Sequence, residues 1–238
     1  MNFFSNLKTK LFRTKLDLEI YWASVYAASI RGDDWLNKMS VNSGRWGPNF
    51  SLLYILTRCL KAAKPTHVLE LGLGEVTEIL LHYRYSLNPG SKVLTVEHDD
   101  NWASYRKPLL FNNGESLDLL MLPLEHRTIR NKQTLAYKGL AQTLNAKGLR
   151  FDLVVIDGPF GSKRFSRINV LDLVDANLLQ DDFIIIMDDC NRRGEAETAK
   201  LLCNQFKDRG IDIYSGYFEG EKGQLIITTK KFQFLTTV

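Results

Sequence analysis

Residues 66–81, THVLELGLGEVTEILL, constrain the fold more than any other stretch of the chain. Val68, Leu69 and Leu71 make an apolar run of the kind a strand shows when both faces of a parallel sheet are covered. Gly72 and Gly74 remove side chains where the backbone must bend and where a ligand can come close. From there the apolar positions fall at Val76, Ile79 and Leu80, which is helical spacing. The stretch therefore reads as strand, glycine turn and helix, with the first N–H groups of the helix pointing back at the turn. Glu70 stands at the carboxyl end of the strand. A dinucleotide pyrophosphate sits at such a helix N-terminus, and a carboxylate beside it repels that group and favours an ammonium or sulfonium ligand. Thr77 occupies the place of the third glycine in G-x-G-x-x-G. Two glycines alone fit a purely structural turn equally well.

The remainder of the 238 residues leaves room for one α/β domain and an extra segment. A net charge of +4 permits an acidic partner without arguing for one; nucleic-acid binders usually show a denser basic patch. Cys59, Cys190 and Cys203 have no metal-ligand spacing, and an odd count without C-x-x-C points to reduced thiols and a cytoplasmic setting. No apolar run approaches the roughly 18 residues of a membrane span, and the N-terminus shows no signal-peptide pattern.

Residues 1–42 read as an N-terminal helical extension and 43–238 as the main domain. In residues 2–16, Phe3, Phe4, Leu7 and Leu11 share one helical face, and Lys8, Lys10, Arg13 and Lys15 surround it. Such a segment suits peripheral contact with the inner face of an anionic membrane, or docking on the domain or on a second subunit of a homo-oligomer. Residues 17–40 continue as helix with Tyr21, Trp22 and Tyr26, broken near Arg31-Gly32-Asp33-Asp34. The loop Ser43–Asn49 either connects elements or folds over a ligand through Arg45 and Trp46, and a helix through Leu52, Leu56 and Leu60 ends near Lys64-Pro65.

The second strand, Lys92–Glu97, ends in an acid about 20 residues past the glycine turn, the place from which a carboxylate binds ribose hydroxyls. A solvated strand-end carboxylate is the alternative. His98 is a candidate contact to the base or substrate, or a surface histidine. A third strand is expected at Leu119–Leu122, then a basic region with Arg127, Arg130 and Lys132, and a helix through Leu135, Leu140 and Leu144. The run Phe151–Ile156 is a buried strand with Asp157 at its carboxyl end, in the crevice shared by Glu70 and Glu97. The loop at 160–167, with Lys163, Arg164 and Arg167, either binds an anionic substrate group or is solvated. A helix over Val170–Leu179 precedes the strand Phe183–Met187, which ends in Asp188-Asp189. Asp157, Asp188 and Asp189 make a hard, oxygen-rich candidate site for Mg²⁺. Otherwise one of the pair caps the next helix and the other pairs with Arg192 or Arg193. A helix at Glu195–Lys207 and a hairpin of Ile211–Phe218 with Gln224–Thr229 close the chain.

VLELGLG at 68–74, VEH at 96–98, FDLVVIDGP at 151–159 and FIIIMDD at 183–189 together resemble the class I S-adenosylmethionine (SAM)-dependent methyltransferases, from about Ser43 to the C-terminus. The resemblance implies an α/β, Rossmann-like seven-stranded sheet in the order 3-2-1-4-5-7-6 with the last strand antiparallel. It implies that Glu70, Gly72, Gly74 and Thr77 bind the methionine side of SAM. Glu97 would bind the ribose, and His98 and Asp157 would complete the cofactor site. Within the class, Asp157 with Asp188-Asp189 is similar to the macrocin-type sugar O-methyltransferases, where a carboxylate-held Mg²⁺ binds two substrate oxygens. Pro159 departs from that pattern, because another aspartate commonly stands there; Asp157, His98 and Lys163 are then the candidate catalytic groups. The motifs of base-directed methylation, D/N-P-P-Y and Pro-Cys, are missing, so a small-molecule or saccharide hydroxyl is favoured over nucleic acid as acceptor, while an RNA methyltransferase shares every motif named here. A nicotinamide-dependent oxidoreductase shares the turn and Glu97 but is opposed by Glu70 and Thr77. A non-catalytic SAM-binding scaffold shares every cofactor motif.

Overall fold

The apolar run at residues 67–71 is an interior strand of a seven-stranded sheet in a computed structural model that describes residues 14–37, 47–110 and 116–238. The strands in chain order are β1 (His67–Leu71), β2 (Lys92–Glu97), β3 (Asp118–Met121), β4 (Leu124–Ile129), β5 (Lys132–Tyr137), β6 (Phe151–Ile156), β7 (Leu179–Met187), β8 (Tyr214–Glu219) and β9 (Gly223–Thr228). The helices are α1 (Lys15–Ser29), α2 (Asp34–Asn37), α3 (Phe50–Ala63), α4 (Glu75–His82), α5 (Asp100–Leu110), α6 (Leu140–Ala146), α7 (Asn169–Asp175) and α8 (Arg193–Asp208). The sheet order is β3-β2-β1-β6-β7-β9-β8, with β4 and β5 paired apart from it. Without that hairpin the order is the expected 3-2-1-4-5-7-6. β9 runs antiparallel to both β7 and β8.

Alternate residues of each strand supply opposite faces. Val68, Leu153, Val155, Ile184 and Ile186 pack with α1, α3 and α4 through Trp22, Leu56 and Ile79. Leu69, Leu71, Val154, Ile156 and Ile185 pack with α6, α7 and α8 through Leu144, Leu173 and Phe206. Both faces are covered, which is why the strands read as continuous apolar runs.

Helix α1 starts at a capping box between Thr14 and Asp17 and is tied into the sheet's far edge. Trp22 Nε1 donates to the carbonyl of Glu219 at 2.8 Å, and Glu19 accepts the N–H groups of Phe50 at 2.6 Å and Glu221 at 3.1 Å. Inside this join, Gln224 Nε2 donates to Asn49 Oδ1 at 2.7 Å and to Asp188 Oδ1 at 2.8 Å. The amphipathic face of Phe3, Phe4, Leu7 and Leu11 lies outside the described residues, as do Arg45 and Trp46. Among the described residues no helix is long and apolar enough to cross a membrane.

The helix expected through Leu135 is instead the hairpin of β4 and β5, and helix begins only at Leu140. Arg130 and Asn131 both take left-handed φ, 46° and 62°, which makes the tight two-residue connection favoured between twisted antiparallel strands. Thr134 and Ala136 are buried while Gln133 is exposed, a strand period that the leucines at 135, 140 and 144 conceal. The helix expected to reach Leu179 ends at Asp175, because Asn177 turns the chain at φ 53° and Leu179 already belongs to β7. The third strand lies one residue earlier than expected, and β8 starts at Tyr214 rather than Ile211.

Candidate active site

A cavity of about 630 Å³ opens over the carboxyl ends of β1, β2, β6 and β7. Its floor is where two turns touch backbone to backbone. Gly72 has φ +101°, and a Cβ there would lie 2.8 Å from the amide nitrogen of Gly158. A Cβ on Gly158 would lie 2.7 Å from Gly72 Cα and from the Tyr137 hydroxyl. The carbonyl of Leu71 accepts from the N–H groups of both Asp157 (2.9 Å) and Gly158 (2.6 Å), which locks the turns together. Gly72 was legible from the sequence; Gly158 and Tyr137 were not singled out, and Tyr137 arrives on the unforeseen hairpin.

Glu70 does not reach the cavity wall. It shares a strand face with Val68, and α4 packs over that face through Val76 and Ile79. The carboxyl is fully buried and accepts on one oxygen, Oε2, from the hydroxyls of Thr77 and Thr95, each at 2.8 Å; Oε1 has no partner. Thr77 Oγ1 in turn accepts the N–H of Gly74 at 3.0 Å. Glu70 and Thr77 thus brace the turn from behind, in place of the expected contact between Glu70 and the ligand. Burial pushes the Glu70 carboxyl up to about 8, with the Thr95 and Thr77 hydroxyls acting in the opposite direction.

Glu97 does line the cavity. One oxygen accepts the N–H of Leu73 at 3.0 Å, and the other accepts those of His98 at 2.6 Å and Asp99 at 3.0 Å. That uses three of about four acceptor positions of a carboxylate and fixes its plane. His98 is on the wall beside it, with Nδ1 2.7 Å from Glu97 Oε1 but not aligned for a hydrogen bond. Its ring meets Phe160 edge-on at 5.0 Å. Trp102, also on the wall, donates from Nε1 to the carbonyl of Leu73 at 2.6 Å.

Asp157 also lines the cavity and shares an acidic cluster with Asp188 and Asp189, one carboxylate oxygen of each falling within 4.8 Å of the others. Burial raises the Asp157 carboxyl to about 7, Asp188 adds to this and Arg167 opposes it. Asp189 pairs with Arg192 at 3.0 Å, one of the two partners anticipated, while Arg193 pairs with Glu197 at 3.1 Å. Of the basic loop at 160–167, Lys163 is exposed and off the cavity wall, so it has no access to a reacting group there. Arg164 goes to Glu197 at 2.6 Å. Arg167 turns inward: its Nη2 donates to Asp157 Oδ1 at 3.0 Å and to Asp189 Oδ2 at 2.6 Å.

These positions bear on the ligands the motifs imply. Mg²⁺ needs near-octahedral oxygens at about 2.0–2.1 Å. The point between Asp157 and Asp189 is taken by a guanidinium nitrogen, so this donor set does not fit the ion. A sulfonium-bearing nucleoside does fit. Glu97 and Asp157 give the cavity two carboxylates, and Arg106, near the glycine turn, is already paired with Glu75 at 2.7 Å, so it does not offer a free cation to a pyrophosphate.

No protein-family model matches the chain, and no curated protein matches it either. Solved structures do. The chain is similar to cofactor-bound Rv0187 from MTB at 16% identity and TM-score 0.56, with 92% of this chain and 98% of that one covered. It is similar to an O-methyltransferase from Bacillus cereus in complex with SAH, at 14% identity and TM-score 0.55, covering 94% and 96%. A third is the O-methyltransferase TomG from Streptomyces achromogenes, involved in tomaymycin synthesis and in complex with SAM, at 14% identity and TM-score 0.55, covering 89% and 98%. At such identities the likeness is one of fold, along nearly the whole chain.

Proposed function

We propose that the chain is a SAM-dependent O-methyltransferase acting on a hydroxyl of a small molecule or saccharide. The observation that carries this is the pair of fixed carboxylates, Glu97 and Asp157, lining one cavity over a glycine turn whose neighbouring Arg106 is already paired with Glu75. The whole-chain likeness to O-methyltransferases holding SAM or SAH supports it.

Glu97 and Trp102 would hold the adenosine half of the cofactor, the backbone at Gly72–Gly74 its methionine side, and Asp157 would face the reacting end. When bound, SAM supplies an electrophilic methyl group on a sulfonium sulfur. The chain's part is to orient the acceptor oxygen for in-line attack and to take its proton. Asp157 is the group placed to do that: it lines the cavity and has a carboxyl raised to about 7, near the pH at which a base works well. His98 lines the same cavity beside Glu97. No step runs through Mg²⁺.

Calorimetric titration of the purified chain with S-adenosylhomocysteine, with NAD as control, tests this. S-adenosylhomocysteine should bind, Glu97→Ala should weaken it by about tenfold or more, and NAD should give no saturable heat. Binding of NAD alone, or of neither ligand, would overturn the proposal.

A further inference from the structure

Four carboxylates converge where β6 and β7 end. Asp188, Asp189 and Glu195 are almost wholly buried; Asp157 is the most exposed of the four and, with Asp189, lines the cavity. Like charges this close stay ionised together only with a cation among them. The most deeply buried cation among them is Arg167; Arg192, 3.0 Å from Asp189, and Lys222, 3.9 Å from Asp188, add charge from the cavity wall. The setting of Arg167 is built. Its side chain is 3% exposed. Nη1 donates to the strand-end carbonyls of Ile156 at 3.1 Å and Asp188 at 2.8 Å, while Nη2 bridges Asp157 and Asp189. Nε lies 3.9 Å from Glu195.

The backbone is committed as well. Arg167 has φ +58°, uncommon for a residue with a side chain. Its loop is pressed onto the start of α8, where Ser166 N–H donates to the carbonyl of Gly194 at 3.1 Å and a Cβ on Gly194 would run into Ser162. Such a conformation persists where its surroundings over-determine it.

We infer that Arg167 is a resident cation that takes the place of a divalent ion at the acceptor end of the cavity, bridging and orienting Asp157 and Asp189 without bound metal. For what Asp157 is aimed at, this rests on the methyl-transfer proposal; the cation itself does not. A consequence for the acceptor follows. A metal ion leaves coordination positions open and so rewards two neighbouring hydroxyls that chelate it. The Nη groups of Arg167 are engaged by the protein, so the acceptor needs one hydroxyl and gains nothing from a second beside it. Arg167 is a positioning residue, since it acts through Asp157.

The test is titration of the full chain with Mn²⁺, followed by calorimetry and by the electron-spin signal of the free ion. The wild type should show no saturable binding. Arg167→Met removes the internal cation and should tighten Mn²⁺ binding by about a hundredfold or more, and Asp189→Asn added to it should abolish the gain. Saturable Mn²⁺ binding to the wild type that Asp189→Asn abolishes would overturn the inference, and so would a folded Arg167→Met chain that binds Mn²⁺ no better than wild type. Should Arg167→Met not fold, the wild-type titration alone decides. Failure to bind S-adenosylhomocysteine is read in a separate titration and bears only on the methyl-transfer proposal.

Discussion

Glu70→Gln isolates the cost of burying a carboxyl behind the glycine turn. Glu70 is fully buried, and its carboxyl is raised from 4.5 to about 8. At intermediate pH the folded chain therefore holds a proton there that the unfolded chain has released. Stability that is complete below pH 4.5 is lost as pH rises, at about 1.4 kcal/mol per pH unit, until the folded carboxyl ionises near 8. Over that interval the loss comes to about 5 kcal/mol, a large share of the stability of a domain. Glutamine keeps an oxygen to accept from Thr77 and Thr95 and does not titrate. Urea unfolding of both chains between about pH 5 and pH 9 reads the difference directly. The variant should gain on the wild type by about 1.4 kcal/mol per unit up to about pH 8 and by nothing further above it. Asp157 titrates in both chains, and its charge adds to the rise at Glu70. A difference that stays flat across the range would mean that Glu70 is ionised in the folded state and would refute the reasoning.

Asp157→Asn should reduce methyl transfer by about 10²- to 10⁴-fold while S-adenosylhomocysteine still binds; because the carboxylate form is the base, wild-type turnover should rise through about pH 7 and level above it, a profile the variant should lack. Gly158→Ala places a methyl 2.7 Å from Gly72 Cα, a backbone atom that cannot swing away, so the unfolding free energy should fall by about 1–3 kcal/mol and cofactor affinity with it; an unchanged urea midpoint would show that the two turns have slack.

The sheet was legible because its strands are buried on both faces, and Val68–Leu71, Phe151–Ile156 and Phe183–Met187 announce that burial residue by residue. The acids at the strand ends were legible for the same reason, since a strand's last residue fixes which end of the sheet it serves. Which way an acid faces was not. Glu70 lies on the face that α4 covers, a fact of the tertiary crossing and not of the strand. Leu135 mimicked helical spacing because only Arg130 and Asn131, two residues with no glycine between them, mark the tight turn. Arg167 was one basic residue among several in a loop. Its distinction is a left-handed backbone and four acceptors drawn from β6, β7 and the residues that follow them, and nothing local in the sequence encodes that.

The contact between Gly72 and Gly158 separates two properties that active sites usually entangle. The span from the glycine turn to Asp157 is set by a joint of main chain, closed by the Tyr137 hydroxyl. The surfaces that would meet an acceptor, such as Phe160 and Arg192, hang from that joint without forming it. Their replacement can remake the choice of acceptor while the reach between the two halves is inherited unchanged, so a chain of this kind is free to diversify in taste while its stroke length is conserved.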